Sequence, residues 1–163
     1  MQRVIGYILV SLLLLLLSTT LVKFLAISEI VPDILLVWIV YVAIREGQIA
    51  GMTAGFLVGL VVDLLSGPDG MTGVSALAKT VAGFLAGYFY NENKTLQTLG
   101  GYQFIVAIGV VSLVHNVIYF LIFLQGTDMS WWRMILVYGV PTMLYTAAIG
   151  LLPMFAIARK YLS

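Results

Sequence analysis

The chain has 163 residues, 62% of them hydrophobic and 9% charged, with a mean hydropathy of +1.10. A soluble domain carries about 45–50% apolar and about 25% charged residues, and one small core cannot hide the surplus, so the bilayer is the solvent that fits. The absence of cysteine excludes disulfides, thiolate metal sites and thiol chemistry, a single histidine counts against a histidine-based metal centre, and a net charge of +1 gives no field that would attract nucleic acid.

The pattern predicts an all-α membrane protein, a single domain over 1–163 built as a six-transmembrane-helix bundle. The first span is expected over about 4–22, ending at Lys23. It follows Met1-Gln2-Arg3 as a signal peptide would, and Ala26-Ile27-Ser28 has the form of a cleavage site. The apolar run nevertheless exceeds the ~7–15 residues of a signal core and approaches the ~20 that cross a bilayer, so an uncleaved helix is expected. Pro32-Asp33 is a helix-start pair and opens the second span, 32–44. The turn Arg45-Glu46-Gly47 leads into the third, 48–65, and Ser66-Gly67-Pro68-Asp69-Gly70 is a strong turn signal before the fourth, 71–90. A polar connector, 91–100, precedes the fifth span, 101–124. The sixth, 134–157, follows Trp131 and Trp132, which belong in an interfacial aromatic belt, and ends before Arg159-Lys160.

Basic residues in short loops set orientation. With both termini cytoplasmic, Arg3, Arg45, Lys94, Arg159 and Lys160 lie inside, Lys23 and Arg133 outside, and Lys79 within a span. The acids invert this, with Glu29, Asp33, Asp63, Asp69 and Asp128 outside and Glu46 and Glu92 inside. No stretch between spans is long enough for a soluble domain, so function is expected in or at the membrane.

Gly47, Gly51, Gly55 and Gly59 recur every four residues, with Asp63 next in the row. Lipid offers no hydrophobic drive between helices, and small residues that let backbones approach hold bundles together. The row therefore either packs within the bundle, against Gly83 and Gly87, or docks a partner helix. Lys79 sits ~13 Å deep by helical rise, where an unpaired ammonium costs at least about 2.5–3.5 kcal/mol. Asp63 is its expected partner, because the two side chains tilt toward each other. His115 and Asn116 lie at similar depth in the fifth span. With Asp63 and Lys79 they are candidates for an outward-opening polar pocket, the alternative being plain interhelical hydrogen bonding. Arg45 and Glu46 anchor a cytoplasmic hairpin, and Pro68 and Asp69 belong to an outer turn.

The ordered set Pro32-Asp33, an apolar helix, Arg45-Glu46-Gly47, Gly51-x3-Gly55-Phe56-Leu57-x-Gly59-Leu60-x2-Asp63-Leu64-Leu65-Ser66-Gly67, then Gly70, Gly73 and Ala76-Leu77 resembles the MreD family. MreD is the small multispanning subunit of the bacterial rod-shape system. The resemblance implies binding to the bitopic protein MreC and a complex with MreB, RodA and a penicillin-binding transpeptidase in the inner membrane. It also implies a non-enzymatic part in directing lateral peptidoglycan synthesis, with no cofactor. The fold it implies is similar to the substrate-binding subunits of energy-coupling vitamin transporters. Lys79 and His115 are not in the matched pattern, so the resemblance gives them no role.

The expected function is therefore a membrane scaffold subunit, the alternative a small-molecule binding or transport subunit using the polar pocket. Such transport subunits dock through small residues on the first helix. Here that helix is leucine-rich, broken only by Ser11 and Ser18, which counts against transport. No nucleophile, base and orienting group are assembled as an enzyme would need.

The orientation can be tested directly in this cysteine-free chain. A cysteine at Asp128 should label from outside the cell and one at Asn93 should not; the reverse pattern would overturn the orientation.

Overall fold

The computed structural model describes residues 2–20, 26, 30–66, 73–123 and 130–162. Lys23, Glu29, Gly67, Pro68, Asp69, Gly70 and Asp128 lie outside the described residues. The helices are α1 (Gln2–Thr20), α2 (Ile34–Glu46), α3 (Gln48–Leu65), α4 (Val74–Ala86), α5 (Thr95–Leu99), α6 (Tyr102–Phe123), α7 (Trp131–Met134) and α8 (Val140–Leu162). A 3-10 turn, Gly87–Phe89, prolongs α4, and a π-helical turn, Ile135–Gly139, joins α7 to α8.

Among the described residues four stretches are long and apolar enough to cross a membrane: Arg3–Thr20, Gln48–Leu65, Tyr102–Ile122 and Trp131–Lys160. The second and fourth expected spans coincide instead with helices of 13 residues each, about 20 Å of helical rise. The expected polar connector 91–100 contains α5, whose Thr98 and Leu99 are buried.

α2 is short because both its ends are fixed. Asp33 caps it, Oδ1 accepting from Leu36 N–H at 2.9 Å, which satisfies one of the orphan donors of a first turn. At the other end Gly47 stands at φ +97°, a backbone region that strongly favours glycine, and turns the chain into α3 within one residue. Between these limits α2 is the centre of the molecule. Its Leu36, Val40, Ala43 and Ile44 are fully buried in a core with Ala82, Leu99, Phe104, Ala107 and Val111.

α3 and α4 run antiparallel with backbones touching. A Cβ added at Gly51 would come 2.7 Å from the Gly83 carbonyl, and one at Gly59 would come 2.5 Å from that of Ser75. At Gly55 an added Cβ would overlap the Lys79 carbonyl, at Gly83 that of Gly51, and at Gly87 the Gln48 side chain. Gly51, Gly55 and Gly59 thus face α4, and a partner helix could reach them only by displacing it.

α1 lies at the edge, with most of its surface exposed. Tyr7 hydroxyl donates to Glu46 Oε1 at 2.5 Å and Trp38 Nε1–H to Ser11 Oγ at 2.9 Å, while Leu15 packs on Leu35, Ile39 and Val58.

Overpacking a filled contact costs about 1–3 kcal/mol. Gly55→Ala should therefore lower stability by about that much in thermal unfolding in detergent. Gly109, with nothing within 4 Å of an added Cβ, is the control: Gly109→Ala should stay within about 1 kcal/mol of the parent or gain from better helix propensity.

Candidate functional site: a buried ion pair and a polar cavity

Lys79 is buried in α4, and its ammonium donates to Asp33 Oδ2 as a salt bridge. The expected pairing with Asp63 is thereby corrected. Asp63, also buried, caps the start of α4 from the neighbouring helix. Its Oδ2 accepts from Gly73 N–H at 3.0 Å and Ala76 N–H at 2.9 Å, and its Oδ1 accepts from Ser75 N–H at 3.0 Å. A carboxylate at a helix N-terminus meets donors that have no partner within the helix and the positive end of the helix dipole, so Asp63 is satisfied without Lys79.

The reason lies in the α3–α4 contact. Gly55 abuts the backbone of Lys79, carbonyl and all, which leaves its side chain no room to run along α3. It turns instead toward α2, where Asp33 stands at the helix start. Asp33 is fixed in turn: its N–H donates to Thr146 Oγ1 of α8 at 3.0 Å. One aspartate therefore caps α2, ties it to α8 and neutralises the buried ammonium of α4.

Beside this pair is a cavity of about 290 Å³ lined by Asp33, Lys79, His115 and Asn116. Three of the four residues expected to share a pocket are thus brought together, and Asp33 takes the place of Asp63. Asp33 was legible only as a helix-start residue. The signal that could have found it is that Asp33 and Lys79 stand at the same end of the bundle, and a long lysine side chain leaning toward its helix N-terminus reaches that end.

On α6, Asn116 Nδ2–H donates to Gly139 O in the π turn at 2.8 Å, and its Oδ1 lies 3.3 Å from His115 Nδ1. Because Oδ1 carries no hydrogen, Nδ1 carries the proton, and the other nitrogen of the neutral ring is an acceptor. That atom, His115 Nε2, is buried and has no hydrogen-bond partner among the described residues.

The remaining motif residues are structural in their contacts. Pro32 precedes the α2 cap. Arg45 donates to the Tyr41 hydroxyl and sits 3.7 Å from Glu46, which holds α1 through Tyr7. Among the described residues no group of three or more His, Asp or Glu is placed to hold a metal ion.

Long apolar helices packed around a neutralised charge pair define a helical integral membrane protein. The family model described as rod shape-determining protein MreD matches residues 1–163, and the chain belongs to that family. No curated protein and no solved structure gives a significant match.

The two aspartates make separable predictions. Removing one member of a buried pair costs about 3–5 kcal/mol, and removing both costs less than the sum. Lys79→Met and Asp33→Asn should therefore couple in a double-mutant cycle of thermal stability. Lys79→Met and Asp63→Asn should add within about 0.5 kcal/mol; strong coupling there would contradict the assignment of Asp63 as the cap of α4.

Proposed function

We propose that this chain is a non-enzymatic scaffold subunit of the bacterial cell-elongation machinery that binds the bitopic protein MreC and helps direct lateral peptidoglycan synthesis. The wider complex would include MreB, RodA and a penicillin-binding transpeptidase. In this reading the chain crosses the inner membrane six times with both termini cytoplasmic, the short helices α2 and α4 counting as crossings because the long helices enclose them. The observation that carries the proposal is the match of the whole chain to a rod shape-determining family. Among the described residues every helix of 13 residues or more packs into the bundle, so an effect on wall synthesis outside or on filaments inside must pass through proteins that project.

The surface best suited to a single partner helix is the groove between α1 and α3, about 470 Å³. On its α3 side stand Ala50 and Ala54, one turn apart, with Thr53 and Leu57 beside them; on its α1 side stand Val4, Ile8 and Leu12. Small residues four apart are what helices in lipid use to approach each other. This row is turned away from α4, unlike the glycine row one residue further on.

Ala54→Leu should leave the bundle folded, since it adds bulk to an open groove. MreC recovered with the protein should fall about tenfold, the equivalent of ~1.4 kcal/mol, and rod cells should round. A folded Ala54→Leu protein that retains MreC would place the interface on another face.

A further inference from the structure

The cavity beside Lys79 is built more elaborately than helix packing requires. Among the described residues its lining charges balance, one ammonium against one carboxylate, so the lining offers no net attraction to a simple anion or cation. One acceptor in its wall has no donor among the described residues. His115 is more than nine-tenths buried and lines the cavity, and its Nε2 lone pair has no partner among the described residues. Leaving a buried polar atom unpaired is costly, and native structures keep few such atoms. Lys79 has the opposite surplus: its ammonium has three hydrogens, of which Asp33 takes one.

The cavity also has a defined place. Asp33 caps α2, Ser75 lies in the first turn of α4, Ser18 is near the end of α1 and Thr142 near the start of α8. It therefore reaches from one end of the bundle, where a membrane protein meets lipid headgroups, down to Lys79, His115 and Thr142 inside the helices. Val31, Leu35, Val62 and Phe120 give it an apolar wall. A π-helical turn closes the neighbouring chain and is held by Asn116; such turns are frequent at functional sites.

We propose that this cavity binds a zwitterionic aminoalkyl phosphate group, its phosphate meeting the spare hydrogens of Lys79 and its primary ammonium donating to His115 Nε2 and Asp33. Charge balance selects a ligand without net charge, and the two ends of the zwitterion match the two surpluses. The Nε2 atom is buried, so the ring must move to take the donor. The group can come from an ethanolamine phospholipid, whose acyl chains would follow the apolar wall, or from a free aminoalkyl phosphodiester such as glycerophosphoethanolamine, which is likewise without net charge.

The chain holds one histidine, so with an affinity tag free of histidine, 15N-histidine labelling gives the two ring nitrogens of His115 alone. The full-length protein is compared in phosphatidylcholine nanodiscs, in nanodiscs in which half the lipid is phosphatidylethanolamine, and in detergent with and without glycerophosphoethanolamine. The ethanolamine lipid should move the Nε2 resonance toward that of a hydrogen-bonded imidazole, relative to phosphatidylcholine, whose quaternary ammonium has no N–H. A response to free glycerophosphoethanolamine as well would identify the headgroup as sufficient; a response to the lipid alone would make the lipid the ligand. Equal shifts with both lipids would overturn the proposal, because no donor would then be needed. No shift with any probe would also overturn it and leave the cavity to water. The double variant Asp33→Asn with Lys79→Met, which removes both charges together and so avoids a lone buried one, should lose the response; retention of the full shift would show that Lys79 does not hold the ligand.

Discussion

The arrangement depends first on the backbone contact between α3 and α4. Helices in lipid gain nothing from hiding apolar surface from their neighbours, so van der Waals contact must hold them, and contact is greatest where no side chain intervenes. Gly51, Gly55 and Gly59 meet the α4 backbone directly, with Gly83 answering from the other side. That proximity also sets the charges. It brings Asp63 within reach of the first amides of α4 and presses Gly55 on the Lys79 backbone, so that each aspartate has a task the other cannot perform.

A buried ion pair gives weak stabilisation at best, because desolvation offsets attraction. Its effect here is geometric. Lys79 cannot leave Asp33 without an unpaired charge in an apolar interior, and Asp33 is bonded to the first turn of α2 and to Thr146. α2, α4 and α8 are therefore held in one relative position at one end of the bundle. At the other end the side-chain tie between helices is exposed: Tyr7 of α1 donates to Glu46 of α2. α1, fastened mainly by such side-chain bonds and a short apolar seam, leaves one face open beside α3.

Helix positions were legible because apolar runs and turn residues are local signals. The Arg45-Glu46-Gly47 turn, the Pro32-Asp33 start and the ends of α3 and α6 lie within a few residues of expectation. Two spans proved shorter because helix length is set by caps as well as by hydropathy, and Asp33 and Gly47 bound α2 tightly. The direction of the glycine row and the partner of Lys79 were not legible. Both depend on which face each helix turns to its neighbour, and a four-residue spacing fixes a stripe without saying what lies across it. The sequence places Ala50 and Ala54 beside Gly51 and Gly55, and only the packing tells the outward row from the inward one.

A chain of local causes runs from the π turn to the histidine. The π turn ends at Gly139, whose carbonyl accepts a side-chain hydrogen bond. Asn116 donates it with its amide N–H, which fixes the orientation of the amide and turns its oxygen toward His115. An oxygen can only accept, so the proton of the ring is drawn to Nδ1 and the Nε2 lone pair is left on the far side. The unsatisfied acceptor beside the Lys79–Asp33 pair thus follows from the bond of Asn116 to an irregular turn that lies inside the expected sixth span. That the irregularity is kept where it polarises a histidine against a charge pair is the strongest reason to read this end of the bundle as more than packing.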